Sequence, residues 1–224
     1  MDVRYTMDIR NKKINFLGDS ITEGHGCTDP ENCFASRIAR EYGAVCRNYG
    51  IGGTRIARQK QPSENPRHDL DFVGRYDQMD PDADIVAVFG GTNDFGHGDA
   101  PIGDMADRTP DTFYGALHLL YTGLITRYPS ARIVVLTPLH RICEESPYGS
   151  KGKAVPAGTL IDYVCIIRQV AEYYSLPVLD LFANSGLQPK VPIIQERFIP
   201  DGLHPNDEGH RLLAEQIAAF LMTL

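Results

Sequence analysis

The chain has 224 residues, 42% hydrophobic and 23% charged, enough for one sizeable core, and a single domain spanning 1–224 is expected. A formal net charge of −7 disfavours a nucleic-acid or anionic-membrane partner, either of which wants a basic face. No stretch approaches the ~18 apolar residues of a membrane span, and no apolar run follows the polar segment 1–13, so a cytoplasmic location is the expectation.

Residues 14–17 read as the first strand. Residues 33–42 read as a helix, with Phe34, Ile38 and Tyr42 recurring at helical spacing. A short second strand, 45–49, ends in a glycine-rich turn, and 70–79 reads as a helix with a weaker face. Residues 85–89 are almost wholly apolar, as in a parallel strand covered on both sides. A helix over 111–128 stops before Pro129, and 133–136 forms another buried strand. Residues 159–174 form a helix whose turns are marked by Ile161, Val164, Cys165 and Arg168, followed by a short strand at 177–180. The closing helix, 206–222, turns Leu212, Leu213, Ile217 and Phe220 inward. This alternation predicts an α/β fold, with a five-stranded parallel sheet covered by helices on both faces and right-handed crossovers. Ligands bind such sheets beyond the carboxyl ends of the strands. Ser20, the Gly52-Gly53 turn and the Gly90-Gly91 turn are expected there.

Three segments, 59–68, 94–110 and 140–158, are rich in Gly, Pro and charge and read as loop insertions. The five cysteines, Cys27, Cys33, Cys46, Cys143 and Cys165, have no Cys-x-x-Cys spacing. Free buried thiols are expected, with a Cys27–Cys33 bridge as the alternative, and no zinc site.

Two segments carry the chemistry. Gly18-Asp19-Ser20-Ile21-Thr22 sets a serine just past the first strand, and Asp201-Gly202-Leu203-His204-Pro205 sets a carboxylate and an imidazole before the last helix. A serine nucleophile needs a base, and the base needs a carboxylate to fix its tautomer. Taken alone, Ser20 also fits a helix cap, and Asp201 fits a capping residue before that helix. Asp19 is read first as a turn residue.

Four blocks in order resemble the SGNH (GDSL-type) hydrolase family over about 14–220. They are Gly18-Asp19-Ser20-Ile21-Thr22, Asn48-Tyr49-Gly50-Ile51-Gly52-Gly53-Thr54, Gly90-Gly91-Thr92-Asn93-Asp94 and Asp201-Gly202-Leu203-His204-Pro205. The resemblance implies a three-layer, flavodoxin-like α/β/α sandwich and a serine esterase working through a covalent acyl-enzyme. It implies Ser20, Asp201 and His204 as catalytic residues, an oxyanion hole of Ser20, Gly53 and Asn93, and no metal or organic cofactor. Asp19, Arg55, Asp94, His97 and His140 are candidate substrate contacts, although a structural role fits Asp19 and Asp94 better and a solvated loop position fits Arg55, His97 and His140 as well. The polar insertions favour an acetyl or short-chain ester of a carbohydrate or similar hydrophilic alcohol, with no nucleic-acid or membrane partner. A lysophospholipase or thioesterase remains open, as does a binding protein without catalysis on the same scaffold. Gly50-Ile51-Gly52-Gly53 does not match the dinucleotide-binding pattern.

Overall fold

Apolar alternation organises the sheet in this computed structural model, which describes residues 7–224 and leaves the first six residues of the polar N-terminal segment outside the described residues. Five parallel strands, β1 (Lys13–Gly18), β2 (Val45–Gly50), β3 (Ile85–Phe89), β4 (Arg132–Leu136) and β5 (Val178–Leu179), pair in the order β2-β1-β3-β4-β5. The described helices are α1 (Ser20–Glu23), α2 (Phe34–Tyr42), α3 (Thr92–His97), α4 (Phe113–Arg127), α5 (Leu160–Tyr173), α6 (Leu181–Asn184), α7 (Pro192–Phe198) and α8 (Asp207–Leu221). None of them is long and apolar enough to cross a membrane.

Period-two alternation splits each strand between two cores. Ile14, Phe16, Ile85, Ala87, Phe89, Val134 and Leu136 pack with Phe34 and Ile38 of α2 and Leu213, Ile217 and Leu221 of α8. Leu17, Val86, Val88, Ile133 and Val135 pack on the other face with Phe113, Leu117 and Leu120 of α4 and Tyr163, Val164 and Ile167 of α5. Full burial of one such side chain contributes about 1.5–3 kcal/mol. The helices start at polar caps: Thr112 accepts from Gly115 N–H at α4, and Asn206 accepts from Glu208 and Gly209 N–H at α8.

Several sequence expectations need correction. Residues 70–79 form no α-helix, only a 3₁₀ turn at Tyr76–Gln78. Side chains take the backbone groups there: Asp71 Oδ1 accepts from Gly74 N–H at 2.6 Å, and Arg75 Nε donates to Leu70 O at 3.0 Å. The inner face of α5 runs through Leu160, Tyr163, Val164, Ile167 and Val170, leaving Ile161 and Cys165 exposed. On α8, Leu212 and Phe220 are only partly buried. All five cysteines are free; Cys33 is buried, whereas Cys143 and Cys165 are exposed, and Cys27 does not bridge to Cys33. The short helices α1, α3, α6 and α7 lie outside the expected elements because each is too brief for a periodic signal, and α3 occupies the start of the segment 94–110 read as a loop insertion.

Arg75 locks the strand ends around which the loops gather. Its Nη1 donates to Tyr49 O at 2.6 Å, and its Nη2 donates to Gly18 O at 2.7 Å and Thr54 Oγ1 at 3.2 Å. The buried guanidinium also lies over the Phe72 ring at 4.8 Å. Replacing it removes three hydrogen bonds from acceptors at the strand ends, of which Gly18 O keeps only the one from Ile51 N–H. Arg75→Met is therefore expected to lower unfolding free energy by about 2–4 kcal/mol, read as a shift of the urea midpoint at constant slope.

Candidate active site

Strand order reverses between β1 and β3, so the connections leaving these neighbours diverge and open a crevice at their carboxyl ends. The register keeps the ends level, pairing Gly18 with both Gly50 and Phe89. Ser20, the Gly52-Gly53 turn and Asn93 follow these ends and line one cavity of about 370 Å³ with His204.

Asp19 caps α1 by accepting from Ile21 N–H at 3.0 Å, which places Ser20 at the first helical position. There its N–H has no acceptor within the helix. Ser20 is 8% exposed, and its Oγ lies 3.0 Å from His204 Nε2. His204 Nδ1 lies 2.6 Å from Asp201 Oδ2. An ionised carboxylate only accepts, so Nδ1 carries the proton and Nε2 is left to accept from the serine hydroxyl. Asp201 Oδ1 also accepts from Leu203 N–H at 2.9 Å and His204 N–H at 2.7 Å. Burial pushes the Asp201 carboxyl up, but hydrogen bonds from the His204 backbone and ring and the Leu203 backbone hold it below its ordinary value. Burial lowers the His204 imidazole below its ordinary range against the pull of Asp201.

Gly53 adopts φ +76°, in the left-handed region, and a Cβ there would enter the His68 ring. The turn lies beside the serine: a Cβ at Gly52 would stand 3.6 Å from Ser20 Cβ, in van der Waals contact. Glu23 holds it by accepting from Gly52 N–H at 2.7 Å while pairing with Arg67. Asn93 Nδ2 donates to Thr54 O at 3.0 Å and keeps a second N–H. Its Oδ1 lies 3.2 Å from His97 Nε2.

The structure brings Ser20, Gly53, Asn93, His97 and His204 onto this cavity. The other candidate contacts lie elsewhere. Asp19 and Asp94 are buried and hold backbone, Asp94 accepting from Ile56 and Ala57 N–H at 2.9 Å each. Arg55 is buried behind His97. The His140 ring packs tilted against Phe182, with centroids 3.8 Å apart, and meets Glu144 at 3.0 Å, away from the cavity. Glu23, Arg67 and Ser150 line the cavity without having been singled out in the sequence. Glu23 was legible as the residue one helical turn after Ser20; Arg67 and Ser150 sit in insertions with no period. A larger cavity of about 550 Å³ adjoins, sharing His97 and walled largely by Ala100, Pro101, Ile102, Val155 and Pro156.

The model of the GDSL-like Lipase/Acylhydrolase family matches residues 16–212. A GDSL lipase of Mycobacterium tuberculosis is 26% identical over 229 residues, covering 96% of this chain and 84% of its own length. A solved structure from Lactobacillus plantarum is 30% identical with a TM-score of 0.80, covering 95% of this chain and 97% of its own. Another solved structure is 33% identical with a TM-score of 0.84, covering 97% of this chain and 99% of its own.

Two carboxyls beneath the cavity are costly. Burial raises Asp19 from 3.8 to about 7, with Asp94 adding repulsion, and burial raises Asp94 to about 6. A carboxyl with a raised folded-state pKa binds more protons folded than unfolded, so stability falls as pH climbs from its ordinary value through the raised one. Asp19→Asn keeps the acceptor for Ile21 N–H but removes the charge. Its stability relative to wild type is expected to rise by about 2–4 kcal/mol between pH 4 and pH 8, measured by urea unfolding across that range.

Proposed function

The chain belongs to the GDSL-like lipase/acylhydrolase family and is an ester hydrolase, and we propose that Ser20, His204 and Asp201 carry its reaction on short-chain acyl esters of hydrophilic alcohols such as carbohydrates. The carrying observation is the continuous link from Ser20 Oγ to His204 Nε2 at 3.0 Å and from His204 Nδ1 to Asp201 Oδ2 at 2.6 Å.

In this reading His204 Nε2 takes the hydroxyl proton as Ser20 Oγ bonds to the ester carbonyl carbon, and the carbonyl electron pair moves onto oxygen. The N–H groups of Ser20 and Gly53 and the second Asn93 amide hydrogen receive that charge. The tetrahedral species collapses, the bond to the alcohol oxygen breaks, and His204 returns its proton to that oxygen. Water then attacks the acyl-serine by the same route and releases the acid. Asp201 stays ionised and steadies the imidazolium.

The polar cavity walls, which include Glu23, Arg67, Arg141 and Lys151, support a hydrophilic alcohol. The adjoining apolar cavity favours a second reading, a longer acyl chain as in a lysophospholipase or thioesterase.

Release of p-nitrophenol from acetate, butyrate and octanoate esters separates the two. The short-chain reading expects acetate to be preferred, whereas octanoate preferred by kcat/KM would establish the second. Ser20→Ala is expected to lower kcat by at least ~10⁴-fold, and retained turnover in that variant would sink the assignment. Because protonation removes the acceptor on His204, kcat/KM should fall towards acid through an apparent pKa below 6.5. A pH–rate profile from pH 4 to 8 checks this.

A further inference from the structure

Asn93 can present its amide in two ways, differing by a half-turn that exchanges Oδ1 and Nδ2. One way offers N–H to the cavity; the other offers an oxygen that would repel an oxyanion. Thr54 O accepts from Nδ2 at 3.0 Å, and on the opposite side the partner of Oδ1 is His97 Nε2 at 3.2 Å. That ring nitrogen must be the protonated one, because His97 Nδ1 lies 3.1 Å from Arg55 Nη1, and a guanidinium only donates. Arg55 thus sets the His97 tautomer, and His97 on the Oδ1 side, with Thr54 O on the Nδ2 side, sets the Asn93 rotamer.

We propose that Arg55 and His97 are positioning residues that aim the Asn93 amide at the reacting carbonyl oxygen. The proposal rests on the reading of Asn93 as an oxyanion donor. Arg55 is itself fixed from the first insertion. Its Nη2 donates to Ser63 Oγ and Asp69 Oδ1 at 2.8 Å each, and to His68 O at 3.1 Å. It is 3% exposed, and its Nε is buried without a partner among the described residues. Those three bonds occupy Nη2, and Nη1 is the atom that reaches His97. The arrangement also needs a neutral His97. Burial, aided by Arg55, lowers that imidazole to about 3, so the ring is neutral from pH 4 to 8, and the Arg55 contact keeps its proton on Nε2. The same insertion touches the other donor, since the His68 ring fills the space over Gly53 and lies 5.8 Å from the His97 ring.

The experiment is a double-mutant cycle on p-nitrophenyl acetate with His97→Leu, His97→Gln, Asn93→Ala and His97→Leu/Asn93→Ala, with melting temperature recorded for each. Asn93→Ala should lower kcat by about 10²–10³-fold. His97→Leu should lower kcat by up to ~10²-fold with KM little changed. His97→Gln, which can still donate to Asn93 Oδ1, should recover most of that loss. In the Asn93→Ala background, His97→Leu should cost nothing further, because its effect runs through Asn93. Multiplicative losses in the double variant, a loss confined to KM, or no rescue by glutamine would overturn the proposal. An unchanged kcat in Asn93→Ala would instead overturn the oxyanion reading of Asn93, and the proposal with it. Should His97→Leu fail to fold, His97→Asn, whose amide stops short of the Nε2 position, enters the same cycle and is read the same way.

Discussion

Everything at this site depends on three strand ends kept level in a parallel sheet, with the chain departing in opposite directions on either side of β1. Gly18 is in register with Gly50 on one flank and Phe89 on the other. Residues one to four positions beyond these ends therefore meet without any long-range search. Close approach is part of the same constraint. A Cβ at Gly50 would lie 2.6 Å from the carbonyl carbon of Thr22 and 2.7 Å from Glu23 Cα, so a larger residue would push α1 off β2. That helix starts at Ser20. The glycines at the strand ends thus set where the hydroxyl stands, and the imidazole arrives from a loop that needs only to reach it.

Below the crevice lies a layer of buried charge that a purely hydrophobic fold would avoid. Asp19 caps α1, Asp94 holds the Ile56 and Ala57 amides, Arg75 ties Gly18 O to Tyr49 O, and Arg141 donates to Thr92 O. Each satisfies backbone groups at strand ends, in short helices or in the loop after β2, where the regular hydrogen-bond pattern runs out. The cost is desolvation, visible in raised carboxyls and a lowered Arg75 guanidinium. Backbone donors and acceptors outside regular structure have few other partners in a protein interior. A loop that must place an amide within reach of a reacting atom therefore brings its own counter-groups with it.

This layer also explains what was legible in the sequence. The central strand from Ile85 to Phe89 was plain because both its faces are covered and its residues are uniformly apolar, whereas edge strand β2 carries Arg47 and Asn48 and was marked by the glycine turn that follows it. Ser20, Asp201 and His204 stood out through local spacing, as did the glycine turns. Local patterns could not tell a contact from a support. Asp94 sits beside Asn93 in sequence, yet points away from the cavity to hold the preceding loop. Arg55 and His97 looked alike as rim residues, but one is buried behind the other. His140 resembled a rim residue and packs against Phe182 instead. The helix expected at 70–79 failed for the same reason: Asp71 and Arg75 satisfied backbone groups through tertiary and side-chain bonds that no periodicity records.

Loop and site are also mechanically joined. The third insertion grips α3 along its length: Arg141 Nη1 donates to Thr92 O at 3.1 Å, Lys153 Nζ to Asp94 O at 2.6 Å, and Ser150 N–H to Gly96 O at 3.0 Å. Asn93 lies inside that grip. The same insertion supplies Ser150 and Lys151 to the cavity that Ser20 and His204 line and Val155 and Pro156 to its apolar neighbour. Residues that shape what enters are thus hydrogen-bonded to the helix that carries Asn93. A change in the insertion that admits a different ester therefore acts on α3 as well. On this fold the contacts that shape the cavities and the placement of Asn93 are coupled through one short helix.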